Sequence, residues 1–401
     1  MKKEFKQLIG FTLFNFVDKG LGFGLPLLVL FLFEDQGIYN QIEYIMSFAL
    51  ILVPFIDGGF RNYLFFGYKE ADADREIFVI ESEAVFNRLF LNYLILSILL
   101  FIGFRFLGSA EQQIVIGLAC VRVLFVLLTT YKSILYRFKD QPSKVFYWTL
   151  SANVIGMATL ALVYMYENRL QSVDFFMGQC LVLVFFVLVV FRKPLFANFK
   201  ISKAFIIKSL NYAWPLMLNA MIVALINNFG KIYAYHELQE IEMFELTFLL
   251  RIGMIIQLAH ISSAAFFSKR LYLATTIEEN RGAILAYFAV LGTGVIISLT
   301  AYAVLVSGFI DFVPLSIHIN HITLLIYYLV WCVSAYFELY LNKHNKNIYI
   351  PFISVFSILL YSLTFVLVPI NLFSIQLAMM VSAIGGLLMV ASIIFKFKLL
   401  K

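Results

Sequence analysis

Charge is what this chain has least of. Asp, Glu, Lys and Arg make up only 13% of its 401 residues, where soluble domains carry about 25%. The net charge of +6 does not mark a nucleic-acid surface, because the basic residues are spread over short loops between apolar runs, and no nucleic-acid partner is expected. Cysteine is equally scarce. Cys120, Cys180 and Cys332 lie in three separate apolar segments with no CxxC and no histidine cluster, which leaves them packing duty rather than metal or redox duty. Catalytic signatures are missing as well: there is no P-loop, no HExxH and no GxSxG. The run Gly20-Leu21-Gly22-Phe23-Gly24 lies inside an apolar stretch, without the strand-turn-helix setting of a nucleotide fingerprint. The sequence therefore predicts no catalytic residue, no metal, no cofactor and no enzyme. Any work the chain does must draw on a source other than bound ATP.

What is present is apolar surface. Hydrophobic residues reach 62%, including 44 Phe and 22 Tyr, against about 45–50% in soluble domains. A soluble core could not hide that excess. In lipid the backbone must satisfy its own hydrogen bonds, so only helices or closed barrels can span. Barrel strands alternate polar and apolar residues; the long apolar runs here exclude them. Met1-Lys2-Lys3 followed by an apolar run resembles a secretory leader, but it lacks a small-residue cleavage site and continues past Leu30. It is read as a retained first span.

Runs of about 20 apolar residues place twelve spans near 8–33, 38–56, 85–107, 113–136, 145–166, 172–191, 205–230, 243–267, 283–308, 319–341, 348–369 and 372–395. The fold class is all-α integral membrane, with two six-helix lobes divided by the basic stretch Arg192 to Lys208: 1–196 and 197–401. Loop charge sets the orientation by the positive-inside rule. With both termini in the cytoplasm, that side collects almost all the loop Lys and Arg, and the opposite side keeps Arg105, Arg169 and Lys231. The setting this implies is a bacterial inner membrane crossed many times, with the phospholipid bilayer as first partner. Only the 57–84 connection is more than a link, and it is cytoplasmic. The exported loops are too short for a catalytic domain.

The halves carry signs of an internal repeat. A shift of 203 residues brings Glu34-Asp35-Gln36-Gly37-Ile38 onto Glu237-Leu238-Gln239-Glu240-Ile241, each after the first span of its half. Both leading spans hold helix breakers: Gly20, Gly22, Gly24 and Pro26 in the first, Pro215 and Gly230 in the seventh. Proline removes a helical hydrogen bond, so such spans tend to bend or unwind. Broken helices at matching places point to a substrate path; the alternative is that Gly20 and Gly24 only let helices pack closely.

Lys19, Arg122, Arg251 and Asp18 lie deep within spans, and Glu245 lies nearer an end. A charge at mid-bilayer costs at least about 2.5–3.5 kcal/mol, so such residues usually face water or one another. On the first span Asn15, Asp18, Lys19, Gly22 and Pro26 form one stripe; on the seventh Asn211, Pro215 and Asn219 do. The eighth span has Thr247, Arg251 and Ser262 on one side and Gly253, Gln257 and His260 on nearly the opposite one, which predicts burial on both sides. Lys19, Arg122 and Arg251 suggest a cationic cavity. The acids admit a simpler reading, with Asp18 neutralising Lys19, and Glu245 pairing with Arg251 or a neighbouring helix. His260 is expected to be a satisfied interior histidine. Glu43, Asp57, Arg88 and Glu338 sit close enough to span ends to snorkel, and little is claimed for them.

The layout of twelve spans as six plus six resembles the polysaccharide flippase branch of the MATE-like (MOP) exporter superfamily, the Wzx-type O-antigen translocases. Locally, Phe33-Glu34-Asp35-Gln36-Gly37-Ile38-Tyr39 resembles that family's acidic-x-x-Gly-x-Tyr turn, Asp57-Gly58-Gly59 its small-residue corner, and Tyr131 to Lys139 its basic exit from span four. Pro215 fits its bent seventh helix, and Asp57 departs from it by standing where an apolar residue is expected. The resemblance implies flipping of an undecaprenyl-diphosphate-linked oligosaccharide to the periplasmic leaflet by alternating access, for O-antigen or lipopolysaccharide assembly alongside other polysaccharide-assembly proteins. Lys19, Arg122 and Arg251 would then meet the diphosphate. Asn15, Asn219 and Gln257 would contact the glycan or, with Pro26 and Pro215, gate its path. Asp18 and Glu245 would couple the cycle to H+ or Na+. Two rivals stand beside it: a cation-coupled multidrug exporter, poorly matched by a basic cavity, and an O-antigen polymerase or membrane glycosyltransferase, which needs a larger exported loop.

Overall fold

The computed structural model describes residues 20–71, 74–139, 143–167, 169–190, 202–273, 277–307, 320–344 and 346–397. Thirteen α-helices order these residues: α1 (Gly20–Phe33), α2 (Gln36–Asp57), α3 (Phe60–Glu70), α4 (Arg75–Leu107), α5 (Ala110–Phe138), α6 (Ser143–Tyr166), α7 (Ser172–Val190), α8 (Lys203–Glu237), α9 (Glu240–Leu273), α10 (Ile277–Val306), α11 (Asn320–Lys343), α12 (Ile350–Leu367) and α13 (Leu372–Phe397). No strand occurs among the described residues. Eleven helices are long and apolar enough to cross a membrane, and α1 is a shorter apolar helix over its described part. The chain is thus an all-α, multi-pass membrane protein. Among the described residues the candidate spans α2 and α4–α7 precede Arg192 and the candidate spans α8–α13 begin at Lys203 or later.

The helices form for the reason composition demands: the lipid-facing backbone bonds to itself, and exposed side chains such as Leu188, Val366 and Phe395 are apolar. Two compact units result, Gly20–Ala224 and Leu225–Lys401, whose boundary falls inside α8. In the first, α6 and α7 cross on small residues; a Cβ on Gly178 would come within 2.2 Å of the Ala152 carbonyl oxygen, the close approach that glycine permits between helices in lipid. In the second, α9 is the most buried candidate span among the described residues, as its two polar stripes predict.

Several expectations change here. Both proline-bearing helices run unbroken through Pro26 and Pro215, so neither is unwound; membrane helices tolerate the missing hydrogen bond because neighbours re-satisfy the freed groups. The 57–84 connection, read as more than a link, holds α3 and the start of α4. α8 continues to Glu237, so Lys231 is no exported loop residue but a buried one inside the helix. The matched turns do mark helix starts. Asp35 caps α2 by accepting from the Ile38 N–H at 2.9 Å, and Glu242 accepts from the Gln239 N–H at 3.2 Å where α9 begins.

Candidate functional site

In the unit Gly20–Ala224 the polar groups gather at the end of the bundle where α2 turns into α3. The turn is made by Gly58 (φ 58°) and Gly59 (φ 73°), a left-handed geometry that side chains resist, and the Gly58 N–H closes α2 on the Pro54 carbonyl at 3.1 Å. A Cβ on Gly59 would lie 2.6 Å from the Ala213 carbonyl oxygen, so α3 rests directly on the early part of α8. This tucks Asp57 inward. Its side chain is 2% exposed, lies 3.3 Å from the Arg61 Nε and accepts a hydrogen bond from the Tyr131 hydroxyl. Asp57 therefore does not snorkel, as its place near a span end suggested. Glu43 is buried as well.

One residue along α5, Lys132 lies 3.2 Å from one carboxylate oxygen of Glu83, and Lys139 lies 3.1 Å from the other. The Lys132 ammonium is 5.6 Å from the ring centroids of both Phe86 and Phe186, so a residue counted by sequence as a loop cation is a mostly buried one held between aromatic faces. Phe60 and Phe86 stack on Tyr131, and Phe66 stacks on Tyr212 at 4.1 Å. Burial among these rings, with Glu70 and Glu81 near, pushes the Tyr63 hydroxyl of α3 above its ordinary range.

In the unit Leu225–Lys401 the polar groups lie inside the bundle. Glu245 of α9 is paired with His321 of α11, whose Nε2–H donates to the carboxylate, and the other ring nitrogen lies 3.0 Å from the Tyr302 hydroxyl of α10. Three helices are joined by one imidazole that is 2% exposed. Deeper in the bundle the Tyr327 hydroxyl donates to Asn227. His260 Nδ1 lies 2.6 Å from the Tyr287 oxygen, and that hydroxyl in turn donates to the Cys332 carbonyl at 3.2 Å. With its proton so directed, Tyr287 accepts from His260. The histidine is the satisfied interior group the sequence suggested.

The sequence-derived site residues fall as follows. Asn15, Asp18 and Lys19 lie outside the described residues. Pro26 is buried on α1, Arg122 is half-buried on α5, and Pro215 and Asn219 are buried and half-buried on α8, all within the first unit. Arg251 is 3% exposed on α9, and Gln257 and Glu245 are half-buried on the same helix, all within the second. Glu245, read alternatively as the partner of Arg251 or of a neighbouring helix, is hydrogen-bonded to His321 of the neighbouring α11. Among the described residues no group of three or more His, Cys, Asp or Glu could hold a metal ion. Sequence reasoning missed His321, Tyr131 and Lys132 as members of polar clusters. Chemically, the second unit offers a carboxylate–imidazole–phenol chain able to hold or pass a proton.

No family model matches the chain, and no curated protein matches it in sequence. Its fold is similar to the solved structure of the lipid II flippase MurJ in an inward closed conformation, with a TM-score of 0.57, 15% sequence identity, and coverage of 97% of this chain and 87% of that one. At that identity the likeness is one of helical fold alone.

Proposed function

We propose that this protein is a lipid-linked oligosaccharide flippase of the Wzx type, moving undecaprenyl-diphosphate-linked repeat units from the cytoplasmic to the periplasmic leaflet. The observation that carries the reading is the end-to-end likeness in fold to a structure whose protein flips a lipid-linked precursor. The local motifs at Phe33–Tyr39, Asp57-Gly58-Gly59 and Tyr131–Lys139 favour the polysaccharide branch. The lobes 1–196 and 197–401 alternate the access of a central path between the two faces of an inner membrane, with both termini in the cytoplasm. Arg122 and Arg251, with Lys19, replace water around the diphosphate; a charge-assisted hydrogen bond is about twice as strong as a neutral one. Asn15, Asn219 and Gln257 contact the glycan, Pro26 and Pro215 let the leading helices flex, and Asp18 and Glu245 couple the cycle to H+ or Na+.

A strain lacking the protein is expected to lose surface O-antigen while lipid-linked units accumulate. Arg122→Gln and Arg251→Gln chains, present at wild-type level, should fail to restore it. Full display in both variants would overturn the role of the two arginines. Restored growth of cells depleted of their lipid II flippase would instead move the cargo to the peptidoglycan precursor.

A further inference from the structure

The connection from α11 to α12 is basic in sequence. It holds Lys343, His344 and Lys346, Lys396 lies in the last turn of α13, and no Asp or Glu occurs between Asn342 and Pro351 or between Ile393 and Phe397. The structure draws two of these cations, Lys346 and Lys396, together on one ring. The Lys346 ammonium is 4.8 Å from the Phe397 ring centroid and the Lys396 ammonium 5.8 Å from the same centroid, while the Tyr349 ring sits 5.2 Å from it. Among the described residues neither Lys346 nor Lys396 has a carboxylate within ion-pair distance. Partial burial and the positive charge of Lys343 hold His344 below the ordinary histidine range, in keeping with a cationic neighbourhood.

A helix end accounts for part of this, since the last turns of α11 and α13 favour cations at Lys343 and Lys396. It does not account for Lys346, which lies beyond α11 and reaches Phe397 from another segment. The helices that carry and adjoin these cations expose apolar rings. Phe352 and Phe356 in the first two turns of α12 are 59% and 41% exposed, and Phe395 in the last turn of α13 is 74% exposed. Two ammonium groups on an aromatic platform, bordered by exposed rings on membrane-crossing helices, match a ligand with a phosphate at one end and acyl chains at the other. A free phosphate would use only half of that surface.

We infer that the junction of α11, α12 and α13 binds an anionic phospholipid of the bilayer, its phosphate on Lys346 and Lys396 and its acyl chains along Phe352, Phe356 and Phe395. The inference stands apart from the flippase reading and survives if that reading fails. Each lysine near an anionic lipid surface is worth about fivefold in affinity.

The test is native mass spectrometry of the purified full chain in neutral detergent, titrated with phosphatidylglycerol or with phosphatidylcholine of the same acyl chains. The wild type should take up phosphatidylglycerol in preference. The double variant Lys346→Gln/Lys396→Gln should lose roughly 25-fold of that affinity, the product of the two lysine contributions, with phosphatidylcholine uptake unchanged. Lys346→Arg/Lys396→Arg should keep binding, and Lys208→Gln, which removes a surface cation already paired with Glu70, should change nothing. Phosphatidylglycerol uptake by the glutamine double variant equal to wild type would overturn the site. Complete competition by equimolar inorganic phosphate would overturn the lipid as its occupant, and so would preferential displacement by an isoprenyl diphosphate.

Discussion

His321 of α11 is buried against the Glu245 carboxylate of α9, and the far side of its ring meets Tyr302 of α10. The contact lies near the starts of α9 and α11 and the end of α10, so one imidazole ties three helix ends at the same edge of their unit. A carboxylate only accepts and a phenol does both. The chain of hydrogen bonds is therefore complete with the imidazole proton on Nε2 and the Tyr302 hydroxyl donating to Nδ1.

Removing either end of such a pair leaves the other buried without its partner, a cost of about 1–3 kcal/mol. Glu245→Gln keeps an acceptor for His321 and should unfold close to wild type, whereas Glu245→Ala and His321→Ala should each lower stability by about that amount. Because the residues touch, their effects should not add: the double variant should show a coupling of about 0.5–3 kcal/mol in detergent unfolding. Strict additivity would mean that the pair is not formed in solution.

Asp57 gives a second measurement of the same kind at the other unit. Its carboxylate is held by Tyr131 from α5 and by Arg61 from α3, and Arg61 is 31% exposed, so solvent screens part of that attraction. Tyr131→Phe deletes one hydrogen bond to a buried charge while keeping the ring stack with Phe60 and Phe86, and should cost about 1.5–3 kcal/mol. Asp57→Asn should cost less, because the amide oxygen still accepts from Tyr131 while Arg61 turns to water. If Tyr131→Phe proves neutral and Asp57→Asn severe, Arg61 and not Tyr131 is the partner that matters.

What sequence made legible here is what local periodicity encodes. Twenty-residue apolar runs located the spans, and opposed polar stripes on the eighth predicted that α9 lies in the interior. Glu245 stood out as an acid inside an apolar run. Its partner His321 did not, because it lies 76 positions away on another helix and nothing within α11 marks which neighbour its ring will face. Asp57 was visible as a departure from an apolar corner, yet its nearness to a span end suggested snorkelling. The turn through Gly58 and Gly59 aims it inward instead, and Tyr131, 74 positions on, receives it. Lys132 and Lys231 misled in one common way: a basic residue near a span end reads as a loop charge, and only tertiary packing reveals that aromatic rings or a longer helix enclose it.

The adjacent glycines of that turn separate backbone strain from close packing. Both have positive φ, 58° at Gly58 and 73° at Gly59, so replacing either by alanine imposes the left-handed penalty of about 1–2 kcal/mol. Their surroundings differ. A Cβ on Gly58 meets nothing within 4 Å, while one on Gly59 would lie 2.6 Å from the Ala213 carbonyl oxygen and 3.0 Å from the Met217 Cβ. The first obstacle is backbone and cannot swing away, so α3 must lift from α8 or the helix must shift, which adds about 1–3 kcal/mol of overpacking. Gly58→Ala should therefore fold with modestly lowered thermal stability, and Gly59→Ala should lose clearly more. Since α3 carries Arg61, the second variant should also loosen the Asp57 contact and weaken the effect of a further Tyr131→Phe. Equal losses at the two glycines would mean that α3 does not rest on α8 in the folded protein.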